Sequence, residues 1–187
     1  MKSKAFEWTE RTIAVLVVLA VSIGALAENP RHKTYVFSGV MNAYSPQTAA
    51  TGPYEIRGPW SLKLKGDSGK ADFSAALDME LSDGWVITKN SGNFDPNARG
   101  AHTHHITLVD AEVTPITNGF QVNGTAMFTL NGGPAPATVA PSPVVIEITG
   151  GADVEFSNMT LTFAAPGSNH FGAEPLPGVI RSVTEEK

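Results

Sequence analysis

The chain has 187 residues, 13 basic and 18 acidic side chains, a formal net charge of −5 and no cysteine. Without cysteine, disulfide scaffolding, thiolate zinc or iron-sulfur ligation and cysteine nucleophiles are excluded, so any metal has to be held by His, Asp or Glu. An acidic balance with no basic patch argues against nucleic acid binding.

Residues 13–27 form an uncharged apolar run that ends in Ala25-Leu26-Ala27 and is preceded by Lys2, Lys4 and Arg11. The run is shorter than the roughly 20 residues a membrane span needs, and small residues stand where a signal peptidase reads. This predicts an N-terminal signal-peptide helix over 1–27, cleaved after Ala27, and a secreted or periplasmic product with no membrane span. Glu7 and Glu10 are unusual in such a leader, and a retained amphipathic anchor is the alternative. Removing the leader's three basic and two acidic residues takes the net charge from −5 to −6. Residues 28–187 are then one β domain, long enough to bury about 70% of its unfolded surface.

Strands are expected at 34–41 and 60–65, the second because Trp60, Leu62 and Leu64 alternate with Ser61, Lys63 and Lys65. The clearest segment is 70–81, where Ala71, Phe73, Ala75, Leu77, Met79 and Leu81 occupy one face. Gly66-Asp67-Ser68-Gly69 between these runs predicts a hairpin turn, and Asp83-Gly84 a second turn leading to a strand at 85–89. Residues 90–101, rich in Asn, Gly, Asp and Pro, form a polar loop that delivers the chain to His102-Thr103-His104-His105. Strands at 104–109 and 111–117 flank a turn at Asp110. The Asn118-Gly119 turn and a strand at 120–130 follow.

Residues 132–143 are Pro-rich, and only 44 residues follow them, too few for an independent disulfide-free domain. They are read as a long loop within the domain. Strands at 144–149, 159–163 and 179–184 complete the chain, with a rigid turn at 171–178. No segment has helical periodicity over ten residues, and 13 prolines and 18 glycines punctuate the strands. The pattern predicts an all-β fold, an antiparallel β-sandwich of about eight to ten strands, with a barrel as the alternative.

On a strand, residues i and i+2 share a face about 6.5 to 7 Å apart, so His102 and His104 aim their imidazoles at one point while His105 faces away. A third ligand is needed. The candidates are His170 in Ser168-Asn169-His170-Phe171-Gly172, Asp95, Asp110 and Glu112, with His170 preferred. His105 substitutes if the strand register slips by one. Neutral imidazoles suit Zn²⁺, Cu²⁺ or non-haem iron better than Mg²⁺ or Ca²⁺, and zinc or copper is the expected cofactor. The competing reading is a set of solvent-exposed or backbone-bonded histidines with no metal.

Gly100, His102, His104, Glu112 and Gly119 resemble in part the first cupin motif, in which a glycine precedes His-x-His and a glutamate and glycine follow. The Glu112 to Gly119 gap matches that family, whereas Gly100 is too close to His102, Glu112 is too far from His104, and the histidine of the second motif is missing after Pro177-Gly178. The resemblance covers about 20 residues and implies a metal-dependent enzyme. Gly66-Asp67-Ser68-Gly69 is similar to the nucleophile region of chymotrypsin-like serine proteases, but only His32 precedes Ser68, so the hairpin reading stands.

Asp72, Asp78 and Glu80 are the polar face of a strand rather than a glycosidic pair. Asn90, Asn93, Asp95 and Asn97 lack the spacing of a calcium loop. Trp60, Trp85, Tyr44 and Tyr54 form either a sugar platform or, for the two tryptophans, core. Asn123-Gly124-Thr125 and Asn158-Met159-Thr160 fit the N-glycosylation pattern. Three functions follow: an exported module that binds a divalent metal, a cupin-like metal-dependent enzyme, and a metal-free module that holds a protein or small-molecule partner.

Overall fold

The computed structural model describes residues 33–45, 54–66, 68–81, 101–150 and 156–186. The leader, the strand expected at 85–89 and the polar loop up to residue 100, including Asp95, lie outside these residues. Nine strands run in chain order: β1 (Thr34–Tyr44), β2 (Tyr54–Lys65), β3 (Lys70–Leu81), β4 (His102–Ile116), β5 (Gly119–Leu130), β6 (Gly133–Pro134), β7 (Ser142–Gly150), β8 (Phe156–Phe163) and β9 (Leu176–Glu186). A four-residue helix, α1 (Ser168–Phe171), interrupts the link from β8 to β9.

Every strand pairs antiparallel with the next in the chain, except that β5 pairs with β7 past the two-residue β6, which folds back antiparallel on the end of β5. β9 returns to pair with β1, and β4 pairs with β5, so eight strands close into an up-and-down barrel. Of the two architectures the alternation allows, the chain adopts the barrel and not the sandwich. The ladder runs unbroken round the ring, so there is no pair of separate sheets to stack. The Pro-rich stretch lies between β5 and β7, which pair with each other. It is therefore a connection within the barrel wall.

The period-two pattern decides which side chains fill the interior. Phe37, Ile56, Trp60, Leu62, Phe73, Leu77, Ile106, Val122, Ile146 and Leu161 are buried inward-facing residues from seven of the strands. Eight strands enclose a space that side chains of this size can fill. β2 begins at Tyr54, six residues before the clear alternation, because Gly58 and Pro59 break the pattern and the pairing to β3 without shifting its register.

β4 departs from expectation in one respect. The turn expected at Asp110 is a β-bulge inside a continuous 15-residue strand. Asp110 has a φ of 53°, and the register shifts by one against both β3 and β5 around it. The inward side therefore changes parity: His104, Ile106 and Leu108 are buried before the bulge, and Ala111 after it. Asp72 Oδ1 accepts the backbone N–H of Asp110 at 2.9 Å, while Lys65 Nζ donates to Asp72 at 2.7 Å and to Asp110 at 2.6 Å. Partial burial opposes ionisation of Asp72, but the Asp110 N–H and Lys65 outweigh it and hold the carboxyl below its ordinary value of 3.8.

In the β4–β5 hairpin, Ile116 pairs with Gly119, so Thr117 and Asn118 form the loop and Asn118 supplies the positive φ of 61°. Gly119 is needed for a different reason. A Cβ there would lie 1.9 Å from the Ile148 carbonyl oxygen of β7.

Gly119→Ala should therefore destabilise the barrel by about 1–3 kcal/mol through overpacking against backbone, read as a lowered urea midpoint with unchanged slope. Asp72→Asn should lower stability at pH 7 and cost less at pH 3. A carboxyl whose folded pKa is depressed stabilises above its unfolded pKa and loses that contribution as the pH falls through the folded value. Parallel denaturation curves at the two pH values measure it.

Candidate metal centre

The pole of the barrel that carries the longer connections also carries the histidines. His102 and His104 lie two residues apart near the start of β4, opposite Met79 and Leu77 of β3. His104 is 1% exposed and His102 half-buried, while His105 points outward and is exposed. His170 arrives from the other side of the pole on α1. The one-turn helix was not legible in the sequence, and it brings His170 beside His102 and His104.

The three imidazoles meet through their Nε2 atoms. His170 Nε2 lies 3.0 Å from His102 Nε2 and 3.1 Å from His104 Nε2. One ligand atom from each residue falls within 4.8 Å of the other two. His104 Nδ1 is 2.8 Å from the Thr129 carbonyl oxygen, which can only accept, so that nitrogen carries the proton. In the neutral ring, His104 Nε2 is then a bare lone pair aimed at its partners.

The local fold of β4 and β5 sets up this tautomer. Their paired register at this pole ends at Ile106 and Phe128, and side chains bridge the strands beyond it. His105 N–H donates to Thr129 Oγ1 at 3.2 Å, and Thr103 N–H donates to Asn131 Oδ1 at 2.9 Å. The Thr129 carbonyl is left to the His104 ring.

The proton count at this meeting point is short. A neutral imidazole nitrogen has one in-plane position, filled by either a proton or a lone pair. Since His104 Nε2 is an acceptor, His170 Nε2 must donate, and one hydrogen then faces the nitrogens of two rings. A tetrahedral metal with Zn–N bonds of about 2.0–2.1 Å separates its ligand nitrogens by about 3.3 Å. With the His170 proton moved to its Nδ1, an outward shift of a few tenths of an ångström would convert these contacts into coordination.

The surroundings keep the His104 and His170 rings neutral. Tyr54, 8% exposed, packs its ring 5.3 Å from those of His102 and His170. Phe171 lies 5.2 Å from His104 and 5.0 Å from His170 and stacks on Phe163 at 4.2 Å. Burial pushes the His104 pKa down to about 4, assisted by His102, although the Thr129 bond works the other way. Burial and then the charges of His104 and His102 lower His170 to about 4.

The other expected ligands lie elsewhere. Asp110 is held by Lys65, and Glu112 is exposed with its carboxylate 3.5 Å from Lys70. That placement removes Glu112 from the set the cupin resemblance implies, and the up-and-down order also differs from a cupin jelly roll. Ser68 Oγ bonds the Lys65 carbonyl in its hairpin turn, as a turn residue does. Trp60 is core, stacked on Phe73, whereas Tyr44 is exposed and Tyr54 belongs to the histidine site. No family of known proteins, no curated protein and no solved structure matches this chain in comparison.

A testable consequence concerns pH. His104 and His170 both resist protonation in the folded state, so the unfolded chain binds protons first below its ordinary histidine value of 6.5. Stability of the metal-free protein should be full above that pH and fall as the pH drops toward about 4. Urea midpoints taken between pH 7 and 4 should show this slope, and a variant carrying both His104→Gln and His170→Gln should flatten it.

Proposed function

We propose that the protein is an exported module that binds a divalent transition metal through His102, His104 and His170. The observation that carries this reading is the convergence of three Nε2 atoms, with His170 Nε2 at 3.0 and 3.1 Å from the other two and His104 Nε2 left as a lone pair by its ring's bond to the Thr129 carbonyl. A cation offers what the proton cannot, because it accepts three lone pairs at once. Three neutral nitrogen ligands without thiolate or added carboxylate select against Mg²⁺ and Ca²⁺. They suit Cu²⁺ and Zn²⁺, with copper the tighter by intrinsic affinity.

Three protein ligands leave a fourth position for water or an exogenous donor, and the ion keeps its full double positive charge. That ligand count is also the one found in catalytic zinc sites, which makes metal-assisted hydrolysis the second reading. Binding is preferred because aromatic side chains crowd the site, with Tyr54 and Phe171 against the rings. Export rests on the leader at 1–27. An ion would then be loaded from the outside or periplasmic supply.

Purified protein should take up one equivalent of Zn²⁺ or Cu²⁺ and gain thermal stability as it does so. His104→Ala and His170→Ala should each weaken binding by more than about 100-fold, while His105→Ala should leave it unchanged. Calorimetric titration with elemental analysis measures both. Protein that retains no metal and shows no thermal shift with either ion would remove the proposal.

A further inference from the structure

We infer that Ser142 is the positioning residue of this centre: its hydroxyl sets where the third imidazole stands. The inference rests on the metal-binding reading above and assigns Ser142 no contact with the ion.

α1 has only four residues, and a helix of one turn has no cohesion of its own, so the position of His170 has to come from anchors outside it. One anchor is Phe171, stacked on Phe163. The other is Ser142, fully buried at the start of β7, on the inward side that Val144, Ile146 and Ile148 continue as apolar positions. A hydroxyl in that row requires partners, and it has two from the same turn. Ser142 Oγ donates to the Ala164 carbonyl at 2.6 Å and accepts the Gly167 N–H at 3.0 Å. Both ends of the turn at 164–167 are therefore tied to a single oxygen.

The tie passes directly to the ligand. Ser168 N–H donates to the Ala164 carbonyl at 3.0 Å, and the Gly167 carbonyl accepts the N–H groups of His170 at 2.9 Å and Phe171 at 3.0 Å. Close fit at Gly167 restricts the pair further. A Cβ there would lie 2.6 Å from Ser142 Oγ and 2.9 Å from Ser142 Cβ. A hydroxyl this short and a residue without a side chain are what the gap admits. Moving either displaces the Gly167 backbone, one turn before His170 Nε2.

The test uses the full chain with Co²⁺ as a spectroscopic probe and Zn²⁺ in competition. Ser142→Ala should weaken binding by about 10–100-fold and shift the cobalt visible bands toward those of His170→Ala, as loss of one imidazole requires. Gly167→Ala perturbs the same contact from the other side and should give the same spectral change, which keeps the test open if Ser142→Ala folds poorly. In the metal-free proteins, the nuclear Overhauser contact between the Tyr54 and His170 rings should be strong in the parent chain and lost in both variants. A variant that keeps the parent cobalt spectrum, affinity and ring contact overturns the role of Ser142. A parent chain that binds neither ion overturns the metal reading instead, and the ring contact alone then decides whether Ser142 places His170.

Discussion

One extra residue in β4 determines which histidines face the barrel interior. Side chains on a strand alternate, so a strand paired on both sides without interruption would keep one parity from end to end. Ala111 is an odd-numbered inward residue, and an unbroken strand would carry that parity back to Thr103 and His105. The bulge at Asp110 switches it, and His102 and His104 turn inward. Because β4 pairs with both β3 and β5, the surplus residue leaves both ladders at once. The exchange of hydrogen bonds among Asp72, Asp110 and Lys65 fixes where it leaves.

The histidine cluster follows from a second shortage, of ladder bonds. Where the paired register of β4 and β5 stops, Thr129 is left with a carbonyl that faces a side chain instead of a strand. The His104 ring fills that role and surrenders its only proton to it. From there the chemistry is constrained from two directions. Burial resists a second proton on His104 or His170, and geometry brings their Nε2 atoms together. Three imidazole nitrogens gathered this closely could hold a metal ion.

Most of the barrel was legible because period-two alternation is a direct record of which face is buried. The strands expected at 70–81 and 120–130 nearly coincide with β3 and β5, and the pairing of His102 with His104 was legible from spacing, whereas His170 was preferred by residue type alone. What the pattern could not show is how strands closed or where a strand gained a residue. Asp110 has the composition of a turn, and a turn and a bulge both recruit Asp or Asn for positive φ. Sandwich and barrel share the same alternation and differ only in whether the last strand meets the first. Tyr54 lay hidden behind Gly58-Pro59, and Ser142 lay behind a Pro-rich stretch read as loop. α1 is too short to leave any periodicity, so only the density of chemistry in Ser168-Asn169-His170-Phe171 marked it.

Alternating strands in an even-numbered ring bring the two ends of the barrel to one pole, where Thr34 of β1 lies beside Glu186 of β9. The hairpins at Lys65–Lys70 and Ile116–Gly119 share that pole, and the histidines occupy the opposite one. The molecule is thus polar in the geometric sense. A tether, tag or immobilising surface joined to the start of β1 or the end of β9 would hold the barrel at the pole away from the histidines, so attachment and the imidazole cluster do not compete for one end.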